Sequence, residues 1–286
     1  MPGPRPSERL LLRAAHSPLW GGPSFYRNLL RRRRVHYAAR GSSKSPLWAW
    51  ETKSGAKKLA AQADVLVPRT IYHIERPEEL ANLDLPERFV VKPDWGVASR
   101  GVMVLERVHD GFHELLTDRH ISSEEFGEAV ANRLQGQRES ATGLIVEESL
   151  SVRRRLPFDW KVYTFYGHVT LTLQIERGTS RPRLKFYDQD WSDIGRIRFG
   201  QDIYPQLPLP RHPDRLRLAA EQVSLTLPTA FLRVDLYETE DNVLLGEVAC
   251  RPGGKQIFRK GLDAAMGLEW EAAETRIIQA GHGLIP

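Results

Sequence analysis

The chain of 286 residues is 41% hydrophobic and 27% charged, the composition of a globular protein with one good core or a core split into two lobes. No apolar run approaches the ~20 residues a membrane span needs, and the basic start lacks the apolar block of a secretory signal. The net charge of +5 hides an asymmetry: residues 1–50 hold ten Lys or Arg against one acid, a net of +9, so the other 236 carry −4.

The basicity therefore belongs to a leader, expected as an extension over 1–46 before a folded domain over 47–286. Within it RNLLRRRRVHYAARG, residues 27–41, reads as a short helix with Arg31 to Arg34 spread around its circumference. Such a run suits nucleic acid, an anionic membrane surface or another acidic partner such as a polymer. It reads equally as a solvated, partly disordered arm. Base reading needs aromatic platforms or a recognisable module. Neither is evident, so dedicated nucleic-acid binding is not expected.

After the GSSKSP segment at 41–46 the pattern predicts a helix from Thr52 to Ala63, a strand at Arg69–Ile74 and a short helix at Pro77–Leu83. Arg88–Lys92 is an apolar strand ended by Pro93, and Gly101–Glu106 is another. Ser122 with Glu125 makes a capping box, and Phe126, Val130 and Leu134 form the buried stripe of the helix it opens. Strands follow at Leu144–Glu148, Trp160–Tyr166 and Val169–Glu176. Pro213 starts a helix with Leu216, Ala220, Val223 and Leu227 as its apolar face. A final helix runs from Leu262 to Ala280. Strands and helices alternate without regular βαβ crossovers, which predicts an α+β fold of mostly antiparallel sheets in two lobes, the smaller over about 88–150 and the larger over about 151–286.

Most of the chemistry sits in RVDLYETEDNVLLGE, residues 233–247. At the strand period of two, Arg233, Asp235 and Tyr237 share one face. A short loop near Glu240–Asn242 closes a hairpin that sets Asp235 across from Glu247. Like charges placed opposite each other want a cation between them, and hard oxygens with room for phosphate suit Mg²⁺. An exposed face with two unrelated acids gives the same pattern.

In FVVKPDWGVASRGVMVL, residues 89–105, a strand delivers Lys92 to a loop of small residues, in which Gly96, Ser99 and Gly101 leave backbone N–H groups open to an anion. An ordinary hairpin with a long glycine turn reads the same way, and GxxxxGK[ST] is absent. Glu147 and Glu148 end an apolar strand. Asp159 and Lys161 share a strand face, and Lys53 and Lys57 share a helix face. The lone Cys250 excludes an internal disulfide and a cysteine-built metal site. Asp188, Asp190 and Asp193 read either as a site for an incoming amine or as a solvated turn. The expected location is cytoplasmic, with peripheral membrane contact through the leader left open.

The succession of lysine helix, K-P with a glycine loop, E-E strand end, D-x-K strand, and R-x-D with G-E on a hairpin resembles the ATP-grasp superfamily. Within it, TKSGAK, DWKVYTFYG, YDQDW at 187–191 and FLRVDLYETEDNVLLGE followed by Pro252-Gly253-Gly254 resemble the TupA-like family, named from teichuronopeptide biosynthesis. The resemblance covers roughly residues 50–270. It implies a two-lobed ATP-grasp fold with ATP and Mg²⁺ as cofactors. Lys53 and Lys92 would hold the α- and β-phosphates under the loop from Gly96 to Gly101. Glu147 and Glu148 would flank adenine, and Asp159 would meet the ribose. Lys161 would meet phosphate or a substrate carboxylate. Asp235 and Glu247 would ligate Mg²⁺, and Arg233 would steady a developing oxyanion.

Two departures stand out. Ala249 occupies the position where many ATP-grasp enzymes carry Asn and the TupA-like pattern a Thr, and the separate N-terminal substrate domain of larger ligases is missing. The reaction implied is carboxylate–amine ligation through an acylphosphate, on a small-molecule or polymer substrate such as a cell-envelope polymer or a peptide-like metabolite. A kinase or dikinase, or a nucleotide-binding protein without turnover, are the alternatives.

Overall fold

The computed structural model describes residues 22–38, 47, 49–94, 101–134, 143–178, 181–198, 201–254 and 256–285. Among the described residues eleven strands form two sheets, and every strand pair in them is antiparallel. The first sheet has the order β1-β6-β2-β3-β4-β5, from β1 (Thr70–Ile74), β2 (Arg88–Pro93), β3 (Met103–Val108), β4 (Gly111–Glu114), β5 (Arg119–Ser122) and β6 (Leu144–Glu148). The second has the order β11-β10-β7-β8-β9, from β7 (Asp159–Phe165), β8 (His168–Glu176), β9 (Arg183–Tyr187), β10 (Leu232–Glu238) and β11 (Val243–Ala249). The expected α+β class is correct. β1 lies ahead of the 88–150 span expected for the small lobe, yet it hydrogen-bonds β6 as part of that sheet.

Alternation gives each sheet one dry face and one face with chemistry. In the first sheet Phe89, Val91, Met103, Leu105, Leu144 and Val146 point to a core covered by helix α3 (Phe126–Leu134) and a 3-10 turn at Pro77–Asn82. The Ser122–Glu125 box forms as predicted: the Glu125 N–H donates to Ser122 Oγ at 3.3 Å, and the Ser122 N–H donates to Glu125 Oε2 at 3.4 Å. The opposite face carries Val90, Lys92, Val104 and Glu147.

Helices cover the second sheet on both sides. Helix α2 (Lys53–Gln62), capped by the Thr52 hydroxyl, and helix α4 (Pro213–Leu225) pack on one face against Trp160, Val162, Val234 and Leu236. Helices α1 (Phe25–Ala38) and α5 (Lys260–Gln279) cover the other, packing on Tyr163, Phe165, Leu173 and Phe186. A solvated arm is thus not what residues 25–38 form. Phe25 and Leu29 are fully buried, and Arg32, one helical step further along the same stripe, is only 5% exposed. Helix α5 allows this approach because Gly267 has no side chain: a Cβ there would lie 2.3 Å from the Ser24 backbone nitrogen. Among the described residues no helix is long and apolar enough to cross a membrane.

Candidate functional site

Helices α1 and α5 cover only part of their face of the second sheet. Beyond Tyr163 the odd-numbered residues of β7 continue as Lys161 and Asp159, and beside them β10 presents Arg233, Asp235 and Tyr237. The charged face of the first sheet stands over this uncovered end. Between them lies a cleft of about 910 Å³, counted to its open mouth. Lys53, Lys92, Glu147, Glu148, Asp159, Lys161, Asp235 and Glu247 all line it, so residues up to 194 positions apart in sequence share one wall-to-wall space.

The hairpin closes as the strand period demands, with Asp235 paired to Glu247 and a bulge directly after Asp235. Arg233 grips Asp235 with a two-pronged fork, both contacts at 2.6 Å, and reaches Glu247 at 3.6 Å. Lys161 bridges Asp235 and, at 3.1 Å, Asp159. Lys53, from the first turn of α2, reaches Glu247 at 2.5 Å. On the opposite wall Glu147 is held by Lys92 and, at 2.6 Å, by Lys57. Side chains from both sheets thereby form two sets of ion pairs, one around Asp235 and Glu247 and one around Glu147, and α2 supplies a lysine to each.

Burial would raise the Glu247 carboxyl, but Lys53, Lys161 and Arg233 outweigh it and hold the group well below the usual carboxylate range. Asp159 follows the same pattern: burial is outweighed by Lys161 and Arg177. For Lys161 burial opposes the charge, yet Asp159 and Asp235 raise it above the ordinary lysine value. Burial pushes Asp235 up, against the pull of Arg233 and Lys161. It pushes Lys92 down, against the pull of Glu147.

Away from the charges, Val90, Val104, Leu116, Leu156 and Pro157 line the cleft next to the backbone of Glu148 to Ser151. This half suits a flat apolar group that also needs strand-end hydrogen bonds. The Glu148 carboxylate accepts from the Arg69 N–H at 2.9 Å. Gly101 is buried where the chain returns toward β3, whereas Gly96 and Ser99 lie outside the described residues.

Arg177 escaped the sequence reading. It donates to Asp159 Oδ2 at 2.7 Å from the residue after β8, across the β7–β8 hairpin. The turn reading holds for the YDQDW segment: Asp188 Oδ1 accepts from the N–H groups of Asp190 and Ser192 at 3.0 and 2.9 Å. Asp193 Oδ1 accepts from the Gly195 N–H, and none of the three acids lines the cleft.

The decisive comparison is with protein families: the TupA-like ATP-grasp profile matches residues 31–270. The chain belongs to the TupA-like ATP-grasp family. No curated protein sequence matches it significantly. Among solved structures, D-alanine–D-alanine ligase from Bacillus anthracis complexed with ATP is similar at a TM-score of 0.50 and 12% identity, covering 98% of this chain and 97% of that one. That likeness supports the ATP-grasp fold. VanG D-Ala:D-Ser ligase from Enterococcus faecalis gives a TM-score of 0.47 at 18% identity, over 81% of this chain. The TupA-like chain spans only 61% of that ligase's length. The ATP-grasp ligase PsnB, complexed with precursor peptide PsnA2 and AMPPNP, gives 0.42 at 16% identity, over 88% of this chain and 72% of that one.

Proposed function

We propose that this TupA-like ATP-grasp protein is an ATP-dependent carboxylate–amine ligase that works through an acylphosphate. The observation that carries the reading is the pattern of ion pairs in the cleft. Glu147 is paired with Lys92, Glu247 with Lys53, and Asp235 with Lys161 and Arg233. Mg·ATP brings a polyanion for the lysines and a dication for the carboxylates. Its arrival exchanges ion pairs without stranding a buried charge, which would be costly.

In this reading adenine occupies the apolar half of the cleft beside Glu148 to Ser151, and Asp159 faces the ribose. Lys53 and Lys92 take the α- and β-phosphates, with Gly101 at the base of the phosphate loop. Asp235 and Glu247 fit a magnesium ion. They are opposed hard-oxygen donors, and among the described residues no cluster of three or more potential ligands stands together. The ion would draw its remaining ligands from phosphate and water. When bound, Mg²⁺ neutralises charge on the terminal phosphates.

The chemistry needs no covalent nucleophile from the protein. An oxygen of the acceptor carboxylate attacks the γ-phosphorus, the bond to the β–γ bridging oxygen breaks, and ADP leaves. The amine then attacks the acyl carbon, loses a proton, and expels inorganic phosphate. Lys161 and Arg233 act by position and charge, the effects that dominate phosphoryl transfer. The acceptor is a cell-envelope polymer or peptide-like metabolite bearing a carboxylate, and an amino acid supplies the amine.

Hydroxylamine tests the intermediate. With Mg·ATP and pooled carboxylates, a ligase of this kind yields a hydroxamate with one ADP per product. ADP formation with phosphate transferred to a stable acceptor would instead make the protein a kinase.

A further inference from the structure

The buried arginine of α1 has no part in the cleft, yet it is attached to the strands that build it. Arg32 Nη1 donates to the Phe231 carbonyl at 2.9 Å and to the Cys250 carbonyl at 3.2 Å, while Nη2 donates to Thr229 Oγ1 at 2.9 Å. Phe231 is the residue before β10, and Cys250 is the residue after β11. One guanidinium therefore ties together the open end of the hairpin, away from its turn. The last cross-strand pair before that tie is Arg233 with Ala249, followed by Val234 with Val248 and then Asp235 with Glu247. At the first of these pairs Ala249 supplies no polar side chain to hold β11 in place.

The surroundings fix the guanidinium plane. It lies 4.2 Å from the centroid of the Trp270 ring, which stacks on Phe231 at 5.6 Å. Burial lowers the Arg32 pKa to about 10, so the group stays charged at neutral pH. An anchor for α1 alone needs no such fork, since Phe25 and Leu29 already bury that helix in the core.

We infer that Arg32 is a positioning residue for the Asp235–Glu247 pair, holding the ends of β10 and β11 at the separation that lets both carboxylates serve one magnesium ion. Helix α1 is then part of the metal-binding machinery without touching metal or nucleotide. This inference rests on the ATP-grasp reading of the cleft.

Calorimetric titration of the full chain with ATP, with and without Mg²⁺, tests it through binding alone. The variants are Arg32→Lys, Thr229→Val and Leu29→Ala. Arg32→Lys keeps the charge but loses the fork. It is expected to lose on the order of tenfold in ATP affinity with Mg²⁺ present, the scale seen when groups supporting metal ligands are removed, and nothing without Mg²⁺. Thr229→Val, which unhooks one prong only, shifts the same way by less and keeps the test open should Arg32→Lys not fold. Leu29→Ala loosens the same helix and lowers the melting temperature, with the Mg²⁺-dependent gain intact. Retention of that gain in Arg32→Lys and Thr229→Val, or its equal loss in Leu29→Ala, would overturn the inference while leaving the ATP site standing. A wild-type chain that binds no ATP would remove the functional reading itself, and the inference with it.

Discussion

Asp235 and Glu247 face each other across β10 and β11, share Arg233, and each draws a lysine from a different element. Lys161 and Arg233 hold the first, from β7 and β10, and Lys53 the second, from α2. The pair is therefore a junction of four elements, and its chemistry depends on all of them.

Replacing Glu247 with Gln keeps the shape and removes the charge. Lys53 then loses its carboxylate partner, and one proposed metal donor is gone. Turnover is expected to fall by roughly two to three orders of magnitude, the scale for losing one preorganised charge-stabilising group. ATP binding measured without Mg²⁺ does not fall and is expected to tighten, since Lys53 no longer leaves a carboxylate stranded when it turns to phosphate. Steady-state rates and calorimetry on the same preparation check both halves.

Acid stability carries a sign that can be worked out. The folded-state value of Glu247 lies below its ordinary 4.5. Its contribution is therefore present above about pH 4.5 and is lost as pH falls below it, toward the depressed folded value. Urea midpoints measured from neutral pH downward should drop below that point in the wild type, and drop less in Glu247→Gln.

Lys92 shares Glu147 with Lys57 inside the cleft. Lys92→Met is expected to weaken ATP binding by about 1.5–3 kcal/mol, the worth of a charge-assisted hydrogen bond, or roughly ten- to a hundredfold. Lys57→Met also leaves Glu147 one cation, but takes none from the proposed phosphate path. Its effect on ATP affinity should be clearly smaller. Equal effects would place the phosphates elsewhere in the cleft.

Gly246 lies beneath the ring of Tyr237, and a Cβ there would sit 2.5 Å from Tyr237 Cε2. Both residues line the cleft. Gly246→Ala must displace the ring, at a cost of about 1–3 kcal/mol. Thermal melting reports that loss, and the displaced ring should raise the KM for ATP more than it lowers kcat.

Much of the cleft was legible in the sequence because strand alternation is a strict rule. It set Asp235 opposite Glu247 and put Asp159 beside Lys161 without reference to the rest of the fold. Arg177 was not legible, since its partner lies 18 residues away across a hairpin and nothing in its local pattern marks it. Strands β4 and β5 were missed because GFHE and RHIS are short and mix polar with apolar residues. The tetra-arginine run misled differently. Its charge suggests solvent, whereas Phe25, Leu29 and Arg32 follow the 25, 29, 32 spacing of a buried helical stripe. A charge in the apolar row of a helix was the available signal that Arg32 has internal partners.

Phosphorus NMR of the wild-type chain with Mg·ATP, amino-acid pools and candidate carboxylate acceptors tests the ligase reading most directly, with Glu247→Gln run in parallel. The expected result is ADP and inorganic phosphate in equal amounts, only in mixtures that contain the right amine and carboxylate, and absent from the variant. AMP, a phosphorylated acceptor, or the same ADP release from wild type and Glu247→Gln would contradict it.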